Sequence, residues 1–323
     1  MGTVEEIRIA KRTGFCYGVR EAIDKAKEAS AAGKATSTLG QVVHNEGVIQ
    51  DLESLGIRTV ATLDDVDHGA AVVIRAHGVK PEVMARAEER GLEVIDGTCT
   101  WVIQEQKELQ RLVAEGYTIV LLGTPQHPEV VGLLGFAPDA VVVDEEEDWG
   151  RIPHRKKMAL ISQSTQPPWK FEKLAAYMVS RSHELKIVNT VCPVTIRRQE
   201  DTLDAAREVD LMVVVGGRSS ANTKELTRLC GIAGTPAMQI ESVRDIEDAG
   251  AFDGARIVGI TGGTSTPIED LHAVAKRILE LAGTKAAAAD AERLADDAFA
   301  IAATPAGRTT SLAPAAHTPA SAG

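Results

Sequence analysis

Three cysteines at matched places in a repeating pattern constrain this chain more than any other feature. Cys16, Cys99 and Cys192 each follow a short apolar run and a turn-forming residue, and each precedes a helix-like segment: "IRIAKRTGFCYGVREAI", "LEVIDGTCTWVIQEQ" and "LKIVNTVCPVTIRRQE". His44, His127 and Ser220 lie 28 positions after Cys16, Cys99 and Cys192 respectively, each in a polar loop entering a further helix. A third element recurs in "VIRAHGVKPEV", "LISQSTQPPWKF" and "GITGGTSTPIEDL". It places His77, Thr165 and Ser265 at 61, 66 and 73 positions after their cysteines. Any α/β chain looks self-similar at low resolution. One spacing repeated three times, always from cysteine to polar loop, points instead to a true internal repeat.

Apolar runs bounded by glycine alternate with segments of 3.6-residue period, as in "YTIVLLGT" then "HPEVVGLLG" and "DLMVVVGG" then "NTKELTRLCG". That alternation predicts α/β units with mostly parallel sheets and helices on both faces. The expected architecture is a trefoil of three similar α/β lobes around a pseudo-three-fold axis with a central cavity. The lobes span residues 1–98, 99–191 and 192–284. Aromatic residues make up only 3% of the chain, so the cores must be filled by Val, Ile, Leu and Ala. Residues 285–323 form an Ala-rich tail. Past about Ala303 it carries too little apolar surface to offset ordering entropy and is expected to be disordered; His317 there is given no role.

Ligands of open α/β sheets sit beyond the carboxyl ends of the strands. Three such ends facing one axis would bring the cysteines and polar loops into one cavity. A cysteine at a helix start faces the positive end of the helix dipole, which favours the thiolate and makes Cys16 a candidate ligand or nucleophile. Its counterparts at Cys99 and Cys192 favour a ligand. Structural zinc sites take four ligands, often from C-x-x-C pairs, and none is present. Iron–sulfur clusters normally take four cysteines. A 4Fe–4S cluster held by three would leave one iron open, as a Lewis acid that also delivers electrons. Cys230, on the apolar periodicity of "ELTRLCGIAG", is a core cysteine.

The loop residues His44, His77, His127, Thr165, Ser220, Asn222 and Ser265 read as an anion pocket, offering donors beside helix starts with little fixed charge. Glu129, in "HPEVVG", complements a helix dipole in the bland case. In a cavity holding an anion and a cluster its pKa would rise, and it becomes a proton donor. "GGRSS" and "TGGTSTP" are glycine-rich like phosphate loops, but neither matches a Walker A or dinucleotide fingerprint. A net charge of −11 argues against a nucleic-acid-binding face. No apolar run reaches membrane-span length, and the N-terminus lacks a signal-peptide pattern. Four widely spaced cysteines do not make a disulfide scaffold, so a cytoplasmic, reduced setting is expected.

In order and spacing, "GFCYGVREAI", "VVHNEGV", "RAHGV", "DGTC", "HPEVVG", "ISQSTQ", "NTVCPVTIRRQE", "GGRSSANT" and "GGTSTP" resemble the LytB/IspH family of reductases over about residues 7–282. The resemblance implies a 4Fe–4S cluster on Cys16, Cys99 and Cys192, whose fourth iron binds the substrate hydroxyl. It implies a diphosphate held by His44, His77, His127, Ser220, Asn222 and Ser265, a hydroxyl ordered by Thr165, and protons from Glu129. The implied reaction removes the hydroxyl of 4-hydroxy-3-methylbut-2-enyl diphosphate with two electrons and two protons. It gives isopentenyl and dimethylallyl diphosphate, the last step of the non-mevalonate isoprenoid pathway, with ferredoxin or flavodoxin as donor. This chain departs from the family pattern at three places: Thr100 and Trp101 follow the second cysteine where proline is common, Ala221 replaces a serine, and Tyr17 replaces a smaller residue. Two other readings stand beside this one. A redox-sensing cluster protein would have a cluster spectrum that substrate leaves unperturbed, and a metal-independent sugar-phosphate enzyme would be colourless and fully active.

Overall fold

The structure, a computed structural model, describes residues 4–43, 45–218 and 220–282. The tail from 285, with His317, and His44 lie outside the described residues. Strand β1 (Glu6–Ile9) leads through Cys16 into α1 (Tyr17–Ala31), followed by β2 (Thr36–Leu39), α2 (Glu46–Ser54) and β3 (Arg58–Val60). Next come β4 (Ala71–Ile74), α3 (Pro81–Glu89), β5 (Glu93–Asp96) and α4 (Thr100–Ala114). The middle of the chain contributes β6 (Thr118–Leu122), α5 (Pro128–Leu133), β7 (Val141–Val143), β8 (Arg155–Ser162), α6 (Pro168–Met178) and β9 (Ser182–Ile187). Last are α7 (Pro193–Ala206), β10 (Leu211–Val215), α8 (Ala221–Ile232), β11 (Ala237–Ile240), β12 (Ile257–Gly262) and α9 (Ile268–Ala282).

The strands form three four-stranded parallel sheets with one order repeated, β3-β2-β4-β5, β7-β6-β8-β9 and β11-β10-β12-β1. The α/β trefoil expected from the repeat is therefore the fold. Inner strands such as "AVVI", "TIVLL" and "LMVVV" are buried nearly throughout, because helices cover both faces of each sheet. A fully buried Val, Leu or Ile there contributes about 1.5–3 kcal/mol relative to exposure.

The sheets interlock cyclically, which a division of the sequence into consecutive lobes does not convey. The strand before each cysteine is the edge of one sheet, while the helix after it packs on the next. Thus α1 lies on β2 and β4, α4 on β6 and β8, and α7 against β12 and α8. The third sheet is closed by the first strand of the chain. Glu6 to Ile9 pair in register with Ile257 to Ile260, and Ile7 and Ile9 join the core around Val258, Ile260 and Val274. Arg12, in the left-handed region at φ 52°, holds this closure by a two-pronged ion pair to buried Asp201 of α7, both contacts 2.5 Å. Each cysteine consequently stands where the chain leaves one sheet's carboxyl edge and enters the next lobe.

Candidate active site

Cys16, Cys99 and Cys192 occupy one local conformation: each is the N-cap of its crossover helix with extended backbone, and each is half-buried. Their amides are anchored alike. Cys16 N–H donates to the Thr264 carbonyl at 3.1 Å, Cys99 N–H to Ala76 at 3.0 Å and Cys192 N–H to Ser164 at 2.8 Å. The accepting residues immediately precede Ser265, His77 and Thr165. Each cysteine is therefore tied to the third polar loop of the lobe it has just left, and cysteines and loops are one arrangement.

Burial pushes all three thiols up, opposed by the first-turn amides of Val19 and Gly18, of Trp101 and Val102, and of Thr195 and Val194. Each is pushed further by another of the three: Cys16 by Cys99, Cys99 by Cys192, and Cys192 by Cys16. Each thiol therefore lies within electrostatic reach of another of the three. Helix α1 approaches so closely that a Cβ built on Gly18 would stand 2.6 Å from Cys99 Sγ. Among the described residues no three His, Cys, Asp or Glu side chains converge on a single metal ion. Three soft thiols at equivalent crossovers would suit an iron–sulfur cluster better than a single ion.

Glu129 is the second residue of α5. His127 caps that helix, its Nδ1 accepting the Glu129 N–H at 3.2 Å, and Pro128 presets the first turn. The carboxylate is only 2% exposed and is held from the neighbouring loop: Ser164 donates its N–H to Oε1 at 2.5 Å and its hydroxyl to Oε2 at 2.8 Å. Burial raises its pKa, against the lowering effect of Ser164 and of the Glu105 side chain. His77 and His127 meet edge to face, ring centroids 5.3 Å apart. Thr165 accepts a 2.7 Å hydrogen bond from Gln163 Nε2, and Gln163 Oε1 accepts the Thr124 N–H at 3.1 Å.

The third lobe supplies Ser220, which caps α8 by accepting the Thr223 N–H at 3.3 Å. Asn222 is 5% exposed, yet neither its Oδ1 nor its Nδ2 has a hydrogen-bond partner among the described residues. A buried amide without partners costs several kcal/mol unless a ligand satisfies it. Gly263, next to the Thr264–Ser265 loop, lies against Asn222 and Thr223, so Ser220, Asn222 and half-buried Ser265 share one corner. His44 lies outside the described residues, but Asn45 beside it caps α2 and donates to Asp270 Oδ2 of α9 at 3.0 Å. Lobe one's polar loop is thus fastened to the helix that follows Ser265.

The departures resolve locally. Helix α4 begins at Thr100 without proline, and its first turn is fixed instead by Trp101 Nε1, which donates to the Thr190 carbonyl at 2.7 Å. Tyr17 and Ala221 are exposed first-turn residues. Cys230 is fully buried, bonded to the Leu226 carbonyl, with its thiol pushed up to about 11 by burial. Sequence reasoning missed Ser164 and Gln163, which sit inside the quoted "ISQST". It also missed Glu105 and Arg198, and the signal for these two was positional: each lies six residues after its cysteine. Arg198, 2% exposed, donates to the carbonyls of Gly262, Gly263 and Gly14, binding the Cys16 loop to the Ser265 loop. Burial lowers its pKa to about 10, which still leaves it charged at neutral pH.

Fold and site together define a three-lobed α/β protein with an N-cap thiol at each lobe crossover, each tied to a polar loop, and a buried carboxylate held by one of those loops. The chain belongs to the LytB protein family, whose model matches residues 7–279. It is 38% identical over 281 residues to the 4-hydroxy-3-methylbut-2-enyl diphosphate reductase of Geobacter sulfurreducens, covering 87% of this chain and 99% of the relative. It is 39% identical over 265 residues to the enzyme of that name from Anaeromyxobacter sp. strain Fw109-5, covering 81% and 93%. Among solved structures it is similar to an (E)-4-hydroxy-3-methyl-but-2-enyl diphosphate reductase described as the terminal enzyme of the non-mevalonate pathway. That match has a TM-score of 0.66 and 33% identity, over 85% of this chain and 99% of the other. It also resembles the E-1-hydroxy-2-methyl-but-2-enyl-4-diphosphate reductase of Plasmodium falciparum, with a TM-score of 0.80 and 26% identity over 85% and 88%.

Proposed function

We infer that this chain is a 4-hydroxy-3-methylbut-2-enyl diphosphate reductase, replacing the substrate's hydroxyl by hydrogen at the expense of two electrons and two protons. The observation that carries the reading is the set of three N-cap cysteines, each tied through its amide to a polar loop of the site. Cys16, Cys99 and Cys192 would hold a 4Fe–4S cluster, which when bound supplies the electrons and an open iron for the hydroxyl.

The chain's own residues do the rest. His44, His77, His127, Ser220, Asn222 and Ser265 bind the diphosphate, and the unpartnered amide of Asn222 supports that assignment. Thr165, oriented by Gln163, orders the hydroxyl. Glu129, buried and fixed by Ser164, holds a proton above the ordinary carboxylate range and delivers it as the C–O bond breaks and water leaves. A ferredoxin or flavodoxin would supply the electrons. No described helix is long and apolar enough to cross a membrane, and a cytoplasmic location completes the reading.

Anaerobic protein reconstituted with iron and sulfide and given a strong reductant should yield isopentenyl and dimethylallyl diphosphate. Turnover undiminished in iron-free protein would refute the mechanism. Glu129→Gln should keep its cluster and lose about 10²–10⁴-fold in kcat, whereas wild-type kcat would remove Glu129 from the proton path.

A further inference from the structure

The residues six positions after the three cysteines are Ala22, Glu105 and Arg198. All three lie on the inner face of a crossover helix, at 0%, 0% and 2% exposure. Ala22 fills its place with a methyl against Gly97, and Arg198 donates through Nη1 and Nη2 to three carbonyls, with only its Nε lacking a partner among the described residues. Glu105 does neither: Oε1 and Oε2 are both buried and no donor among the described residues reaches them. An ionised carboxylate left so would cost several kcal/mol. Its near neighbour is another carboxylate, Glu129 of α5, within hydrogen-bonding reach of it. Two acceptors cannot bond each other unless one carries a proton. Once it has given up a proton, Glu129 is the better placed of the two to bear the charge, since Ser164 donates to both its oxygens while lone pairs remain free.

We propose that Glu105 is a positioning residue of the reduction: it holds a proton, donates a hydrogen bond to Glu129, and refills Glu129 within each turnover. The groups facing it agree. Burial, then Glu129 from α5, Cys192 at the start of α7 and Cys99 at the start of its own helix, all favour its neutral form. This rests on Glu129 as proton donor. Glu129 gives one proton to the departing hydroxyl and becomes a carboxylate. The O–H bond of Glu105 then breaks and an O–H bond forms on Glu129, which passes this second proton to substrate carbon. Two protons from water restore the pair, matching the two the reaction consumes. One acid alone, buried as Glu129 is, would have to be reprotonated from solvent midway.

The test compares wild type with Glu105→Gln, an isosteric change that keeps a donor toward Glu129 but has no proton to give. Infrared spectra of the cluster-loaded proteins at neutral pH should show a C=O stretch of protonated Glu105 in wild type and the loss of that component in the variant. In turnover, Glu105→Gln should keep its cluster and KM, lose about tenfold or more in kcat, and shift the alkaline limb of the pH–rate profile to lower pH. Glu105→Asp, still an acid, should recover part of the loss. A purely structural role moves neither the band nor the limb. An infrared spectrum unchanged by Glu105→Gln, or a superimposable pH–rate profile, overturns the proposal. Loss of the band alongside normal turnover of Glu129→Gln would support the proton on Glu105 and overturn the role of Glu129 alone.

Discussion

Gly18→Ala tests the geometry of the cysteine centre with one methyl group. Gly18 lies in the first turn of α1, and a Cβ there would stand 2.6 Å from Cys99 Sγ and 2.8 Å from Cys99 Cβ. Non-bonded heavy atoms settle at about 3.5–4.0 Å, so either the helix start or Cys99 must retreat by about 1 Å. Overpacking of this kind costs about 1–3 kcal/mol. Replacing glycine by alanine within a helix returns about 1 kcal/mol. The net loss is about 0–2 kcal/mol, too small to unfold the chain. The consequence for ligation is larger, because Cys16 caps the displaced helix and Cys99 is the group displaced. Iron and sulfide retained after anaerobic reconstitution should fall as for a disturbed metal surround, about 10- to 100-fold in affinity, with Tm lowered by no more than a few degrees. Gly231→Ala is the control: it lies in α8 with no atom within 4 Å of a built Cβ. It should gain about 0.5–1 kcal/mol and leave iron content untouched. A Gly18→Ala protein that binds its cluster as tightly as wild type would refute the close approach of α1 to Cys99.

Two further outcomes concern the frame around the site. Lys170 of α6 is buried, bonding Asp144 at 2.6 Å and Glu145 at 2.9 Å, so Lys170→Met should cost about 3 kcal/mol in denaturant unfolding at pH 7. Burial opposes ionisation of Asp144, but Lys170 and Thr124 outweigh it and its pKa is lowered. That stabilisation is fully present above the unfolded carboxylate value near ~4 and lost as pH falls through the folded one. The difference between wild type and variant should therefore shrink below about pH 4; a constant difference would contradict the pairing. Trp101→Phe strands the Thr190 carbonyl and should cost about 1–3 kcal/mol while speeding cluster loss in air. Cluster half-lives equal in the two proteins would show that the indole contact does not hold the first turn of α4.

Much of the site was legible because it repeats. A cysteine after a strand and before a helix, with a polar loop residue 28 positions on, reports a local conformation, and local conformation is what sequence pattern encodes. The apolar runs that became β4, β6 and β10 were readable for the same reason: a strand covered on both faces has to be apolar throughout. Glu129, too, could be placed at a helix start from "HPEVVG" alone, and the structure puts it there.

What the sequence could not disclose is everything that depends on which lobe faces which. No pattern in "IRIA" says that this strand completes the sheet begun at Leu211, two hundred residues later; the pairing is chosen by burial of Ile7 and Ile9 and by Arg12 on Asp201. Nor does helical periodicity tell Glu105 and Arg198 from surface helix residues; only their shared place six residues after a cysteine marks them. Helical spacing alone does not distinguish a charged residue turned to solvent from one turned inward, and only packing against the next lobe decides it. By itself the sequence determined three α/β lobes, their thiols and their polar loops. The tertiary structure decided how the lobes interlock, bringing each cysteine onto a loop of the preceding lobe and setting two buried carboxyls side by side, because long-range contacts are fixed by burial and hydrogen bonding across lobes rather than by neighbours in the chain.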